Sequence, residues 1–229
     1  GQPDSPEALI ELAQVLNAQD KDRECLAVAK SAAAIAPDDV NAYLVMCDAL
    51  CALGDGAGAR RAAEQCLRLA PNAWLSHYAL ARAFLVAYPP DIWRALAAAR
   101  KSIELAPTHP SPHDLHGVCL QNLKMLDEAE AAYRHALALS PQHAGAQQHL
   151  ASLQVDRGRI SLGARMLRSA VGNSPQDTSL HRELDRLLLK VMARVFYALV
   201  ITSLGLGALV YAKAPWIARA AVGVAFIVV

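Results

Sequence analysis

The sequence predicts an all-α protein: a solenoid of about five stacked helix pairs, followed by a capping helix and one or two C-terminal membrane-spanning helices. Three observations predict it. Alanine fills about a fifth of the 229 positions while aromatic residues are only 5%, which favours helix over sheet. A proline with a similar neighbourhood returns at Pro37, Pro71, Pro107, Pro141 and Pro175, at separations of 34, 36, 34 and 34 residues. Finally, residues 195–212 form a run of eighteen without a charge. The 54% hydrophobic content excludes a disordered protein, and a net charge of +1 removes the electrostatic attraction that non-specific nucleic-acid binding needs.

Each period holds two amphipathic runs separated by a turn. The proline follows the second run, where a helix must stop because proline lacks an N–H and clashes with the preceding turn. A helix pair has an apolar face that only the next pair can bury, so a period of this length marks stacked units. The units fall at about 6–39, 40–73, 74–109, 110–143 and 144–177, within a repeat domain spanning 1–177. Ser5-Pro6-Glu7 opens the first with an N-cap candidate, a proline at the first helical position and an acid at the positive end of the dipole. Asp38-Asp39 and Asn72 offer capping oxygens after later stops. The third unit is two residues longer, and the surplus falls in 87–91, in the turn between its helices.

With this period and proline placement the sequence resembles the tetratricopeptide-repeat family. Three positions that the family keeps small hold Ala13, Cys47, Ala81, Gly117 and Ala151; Cys25, Ala59, Ala95, Ala129 and Gly163; and Ala32, Cys66, Ser102, Ala136 and Ala170. All fifteen fit, and closely crossing helices tolerate only small side chains at the contact. The resemblance implies a right-handed α-solenoid. Two places depart from the family pattern: His116 stands where Leu is usual, and Gln154 where a large apolar side chain is usual.

Beyond Pro175, residues 178–194 read as a capping and juxtamembrane helix, with Leu180, Leu184, Leu187 and Leu188 on one face. The same helix runs on into 195–212, which at roughly 1.5 Å per residue is about as long as a hydrocarbon core is thick. Tyr197 and Tyr211 lie near its ends as interfacial anchors would. After a break at residues 213–216, residues 215–229 read as a second, incomplete hydrophobic segment, so the native protein is expected to continue; Gly1 in place of Met points the same way. Arg182, Arg186, Lys190 and Arg194 form a basic stripe before the span, which by the positive-inside rule leaves the repeats on the cytoplasmic side of a membrane, a bacterial inner membrane given the Ala- and Arg-rich composition.

No phosphate-binding loop, nucleophile elbow or H-E-x-x-H helix occurs, so neither an enzyme activity nor a cofactor is expected. Gly54, Gly56 and Gly58 read as turn glycines of the second unit. His109, His113, Asp114 and His116 cluster, but repeat counting turns His113 and His116 inward, and no metal is expected there. Cys47 and Cys51, at i and i+4, read as buried thiols rather than half a metal site, and five cysteines without a C-x-x-C pair suit a reducing compartment.

Function is therefore expected on the concave surface lined by the first helices. Carrying the family's groove positions onto this sequence gives Gln14 and Asn17, then Asn41, Leu44 and Asp48, then Tyr78 and Arg82, then Asp114, Gln121 and Asn122, and last Gln148 and Ser152. This mixed polar set suits a peptide or helix of a protein partner, with Tyr78 and Arg82 as anchors. The basic clamp by which some relatives hold a chaperone's terminal carboxylate is absent, its places being Ile10, Gln14, Val45, Leu75 and Ala79. The sequence thus reads as a membrane-anchored adaptor, with other subunits of a membrane complex as further partners; the alternative is a docking portion of a longer membrane enzyme or transporter.

Overall fold

The computed structural model describes residues 5–173 and, further on, Asp185, Leu188, Leu189, Met192, Ala193, Phe196 and Tyr197. The protein divides into two compact units, Gly1–Ser174 and Pro175–Val229. The first holds ten α-helices among its described residues: α1 Pro6–Ala18, α2 Asp22–Ile35, α3 Val40–Ala52, α4 Gly56–Leu69, α5 Trp74–Val86, α6 Ile92–Leu105, α7 Pro110–Asn122, α8 Leu126–Leu139, α9 Ala144–Asp156 and α10 Ile160–Asn173.

The proline markers act as stops. The even helices α2, α4, α6 and α8 end at Ile35, Leu69, Leu105 and Leu139, each two residues before its proline. Polar side groups then cap most of the helix starts. Ser5 Oγ accepts from the Ala8 N–H at 3.2 Å and Asp39 Oδ1 from Asn41 at 2.8 Å. Asp55 and Asp91 cap α4 and α6, and His109 and His143 accept through Nδ1 at the starts of α7 and α9. Asn72 does not cap α5: Ala73 stands at the N-cap with no side-chain bond, and its carbonyl accepts from Ser76 instead. A second device repeats over the prolines. His77 Nε2, His113 Nε2 and Gln147 Nε2 each bond the carbonyl of the proline six residues earlier, at 2.9, 2.8 and 2.6 Å.

The turns inside the pairs share one geometry. Asp20, Gly54, Lys124 and Gly158 have φ of 58°, 77°, 66° and 80°, the left-handed conformation that closes a helix C-terminus. The following N–H then reaches back five residues to the carbonyls of Leu16, Leu50, Leu120 and Gln154. In the third pair the equivalent carbonyl is that of Phe84, and it accepts from Asp91 at 3.1 Å, across the two surplus residues. The longer turn thus closes on the same acceptor. Only Gly54 of its glycine cluster is a turn residue, which corrects the expectation for Gly56 and Gly58. Those two lie in the first turn of α4, where a Cβ on Gly56 would come within 2.4 Å of the Ala87 backbone.

Packing follows the small positions. All of them whose burial is described are buried; the Ala170 side chain lies outside the described set. Gly117 makes room for Tyr133, which is 0% exposed and donates its hydroxyl to Gln121 Oε1 at 2.8 Å. The two departures from family pattern are polar intrusions. His116 Nε2 is buried without a partner, and burial, with Arg100 and His113 nearby, holds its imidazole toward the neutral form. Gln154, 2% exposed, accepts from Arg159. Next to it Arg157 reaches α8, bonding Asp127 at 2.6 Å and the buried Glu130 at 3.0 Å.

Among the described residues no helix is long and apolar enough to cross a membrane. The described residues of the second unit are helical and exposed. The basic stripe at Arg182, Arg186, Lys190 and Arg194, residues 215–229, and all of 195–212 except Phe196 and Tyr197 lie outside the described residues.

Candidate functional site

Every helix packs on its neighbours in sequence. In addition α1 touches α3, α3 touches α5, α5 touches α7 and α7 touches α9, whereas the even helices make no comparable contacts with one another among the described residues. The odd helices therefore lie closer together and form the inner layer of a curved stack. Residues one period apart line up across that layer in rows: Leu44, Tyr78, Asp114 and Gln148 in one, and Gln14, Asp48, Arg82, Val118 and Ser152 in the next.

Two polar side-chain pairs cross between adjacent odd helices. Arg82 Nη1 on α5 donates to Asp48 Oδ1 on α3, and the guanidinium carbon lies 5.9 Å from the centre of the Tyr78 ring one turn back. Tyr78 is itself met edge-on by Trp74 at 5.9 Å. Burial pushes the Asp48 carboxyl up, more than Arg82 pulls it down, and raises the Tyr78 phenol so that it stays a neutral donor. Burial also opposes the charge of Arg82, but Asp48 and then Tyr78 outweigh it and hold the guanidinium above its ordinary range. The side groups of Arg82 and Asp48 keep 31% and 37% of their surface exposed, so water screens the pair and its net contribution is about 1 kcal/mol or less.

The second pair joins α7 to α9. Asp114, 6% exposed, lies 2.8 Å through Oδ1 from His149 Nδ1, and the His149 ring stacks on Tyr133 at 5.6 Å. Because a carboxylate only accepts, Nδ1 carries the hydrogen of this bond.

Between the two pairs lies an open cavity of about 280 Å³. Cys51, Ala52, Leu85, Val86, Leu115 and Val118 supply its apolar lining; Tyr78, Arg82, Asp114 and His149 supply its polar edges. Of the residues expected from sequence, Tyr78, Arg82 and Asp114 line this cavity. Gln14 and Asn41 are exposed on α1 and α3, while Asn17, Leu44, Gln148 and Ser152 are half-buried on theirs. Gln121 is committed within the fold: it accepts from Tyr133 and donates to Asp156 at 3.2 Å. Asn122 donates to Val118 O of its own helix at 2.9 Å.

Sequence reasoning passes over His149 and the apolar lining. His149 follows Asp114 by one period plus one residue, and Arg82 follows Asp48 by one period. Pairing complementary residues 34–36 places apart would find both.

The histidines of the fourth repeat diverge rather than converge. His109 lies against Trp74 at 4.2 Å, and His113 bonds Pro107 O and meets His135 edge-on at 4.4 Å. Among the described residues no group of three or more His, Cys, Asp or Glu is placed to hold a metal. The five cysteines are free and buried. Cys47 Sγ donates to Ala79 O at 3.7 Å, and burial pushes the Cys66 and Cys119 thiols up to about 12.

Residues 113–143 match the family model described as tetratricopeptide repeat. No curated protein matches the sequence. Among solved structures, the thermophilic TPR protein TTC0263 of Thermus thermophilus is similar with a TM-score of 0.74 at 21% identity, over 81% of this protein and 100% of that one. Part of the APC/C hetero-tetramer Cut9-Hcn1 is similar with a TM-score of 0.65 at 16% identity, over 83% of this protein and 38% of that polypeptide. MamA, residues 41 to its end, from Desulfovibrio magneticus RS-1 is similar at 0.52 and 21% identity, over 81% and 99%. At these identities the likeness is one of fold. Residues 113–143 thus match a tetratricopeptide repeat by sequence, and the stack as a whole shares the solenoid fold of solved TPR proteins.

Proposed function

We propose that this protein is a non-enzymatic scaffold that binds a segment of a partner protein on the inner layer of its repeats, held at a membrane by residues 195–212 with the repeats on the cytoplasmic side. The observation that carries the binding part is the cavity of about 280 Å³ edged by Arg82–Asp48 and Asp114–His149. Its size lies below the roughly 300–1,000 Å³ usual for small-molecule sites, and Tyr78 and Arg82 are residue types that dominate interface energetics. The support for the anchor is the eighteen-residue uncharged run and its basic flank, both read from sequence. An anchored groove raises the effective concentration of its partner at the bilayer, which suits a subunit of a larger membrane assembly.

Affinity purification of the full-length protein in mild detergent, with Tyr78→Ala plus Arg82→Ala alongside the wild type, tests the groove. Loss of a discrete set of captured proteins is expected. Retention of every one would refute the assignment. Membrane fractionation of cells expressing the protein with and without 195–229 tests the anchor separately: the full-length form sediments with membranes and the shortened one does not, and identical partitioning would refute the anchor.

A further inference from the structure

Cys47 and Cys51 stand one turn apart on α3, on the side that meets α5. Cys47 Sγ reaches Ala79 O at 3.7 Å, and Cys51 lines the open cavity beside Arg82 and Leu85. Each thiol is shifted first by the other, Cys47 up and Cys51 down, which is the effect of two sulfur groups turned toward one another. Arg82 acts on both. The other three cysteines lie apart, on α2, α4 and α7.

The donor set decides which ligand such a pair can take. Zinc asks for four ligands, and calcium and magnesium ask for oxygen. Among the described residues no group of three or more His, Cys, Asp or Glu is placed to hold a metal, so those ions are not served. Two sulfurs at i and i+4 are half of a tetrahedral site but the whole of a linear one. Taking roughly 2.3 Å for a metal–thiolate bond, two bonds in line span about 4.6 Å, within reach of side groups whose Cβ atoms stand about 5–6 Å apart. Thiolate ligands select soft ions, Cu(I) among them.

We infer that Cys47 and Cys51 form a two-coordinate site for a soft monovalent metal ion, Cu(I), which enters from the cavity at Cys51. On binding, each thiol releases its proton to solvent, no electron moves, and the ion sits between two thiolates. Cys47 gives up its bond to Ala79 O, which keeps its acceptor role within α5. The bound unit carries one net negative charge, and Arg82 has N–H donors beyond the bond to Asp48 to turn toward it. Cys47 has 0% exposure and Cys51 9%, so solvent meets the pair at one edge. The inference does not rest on the groove reading above.

The repeats themselves supply substitutions that the fold accepts. Places equivalent to Cys47 hold Ala13, Ala81 and Ala151, and Ala also stands one period from Cys25, at Ala59, from Cys66, at Ala32, and near one period from Cys119, at Ala83. The test titrates the reduced full-length protein in lipid nanodiscs, under argon, against Cu(I) held by a chromophoric chelator, with empty nanodiscs as the control. Wild type and the triple variant Cys25→Ala, Cys66→Ala, Cys119→Ala are expected to withdraw one equivalent each. X-ray absorption at the copper edge should show two sulfur neighbours. Cys47→Ala and Cys51→Ser, each checked for helicity by circular dichroism, should weaken capture by at least about a hundredfold, the scale of what a second tethered ligand adds. Zn(II) in excess should leave the copper in place. No withdrawal of copper, capture undiminished in either single variant, loss of capture in the triple variant, three or more sulfur neighbours, or displacement by Zn(II) overturns this inference.

Discussion

Replacing Gly117 with alanine should destabilise the repeats although it puts a better helix former into α7. In an exposed helix the change gains about 1 kcal/mol, because glycine loses more backbone entropy on folding. Here a Cβ would lie 2.5 Å from Tyr133 Cε1 and 2.7 Å from Cδ1, well inside van der Waals contact. The ring has no slack: it is 0% exposed, its hydroxyl donates to Gln121 at 2.8 Å, and its face stacks on His149 at 5.6 Å. Forcing one methyl into such a site costs about 1–3 kcal/mol, so after the propensity gain the net loss should be about 1 kcal/mol, with an upper bound near 2. Urea titration followed by helical circular dichroism reads this as a lower midpoint, by roughly 0.5 M at the m-values usual for small domains. Tyr133→Leu frees the space, so in the double variant the Gly117→Ala change should turn neutral or stabilising, a coupling of about 1 kcal/mol or more. A Gly117→Ala variant as stable as wild type or more so, or additive effects in the double variant, would refute the packing argument.

Lys124 carries its side group at φ 66°, in a turn whose equivalents include Gly54 and Gly158, so Lys124→Gly should stabilise by about 0.5–1 kcal/mol in thermal denaturation, the relief of left-handed strain less the added backbone entropy. Burial lowers the imidazole pKa of His116 and of His113, so the unfolded state binds the proton more readily; their contribution is complete above about pH 6.5 and is lost as pH falls below it. His116→Leu should flatten that decline in a stability profile between about pH 7 and 5, and an unchanged slope would count against His116 as its source. Among the five cysteines Cys51 lines the cavity and keeps 9% exposure, while Cys25, Cys47, Cys66 and Cys119 have 0%. The neighbouring Cys47 side group and then Arg82 hold the Cys51 thiol below its ordinary range, against burial. Mass spectrometry after brief alkylation of the native protein should therefore find Cys51 labelled first.

Much of the stack is legible in the sequence because its rules are local and repeated. A proline stops a helix wherever it falls, and a small residue at a crossing is required in every repeat, so periodicity alone exposes both. Asn72 misleads because capping depends on backbone dihedrals one residue away, and Ala73 stands at that point. Gly56 and Gly58 look like turn residues because glycine is permissive in turns, whereas Gly56 answers to the Ala87 backbone, more than thirty residues distant in sequence. At the groove, polar residues draw attention because polarity stands out on an amphipathic helix. Leu85, Val86, Leu115 and Val118 follow the same periodicity as core residues, and only the contacts of α3, α5, α7 and α9 show that they line a cavity. His149 escapes for a related reason: its partner lies on another helix, and single-helix spacing carries no trace of it.

The Phe84 carbonyl answers Asp91 where its counterparts in the other pairs answer a residue two places nearer. The turn at residues 87–91 thus takes two more residues and keeps its closing bond, with Tyr88 standing 100% exposed. That makes this corner a natural splice point: a reporter or epitope grafted between Pro89 and Pro90 would hang outside the stack, and the downstream coils would keep their register.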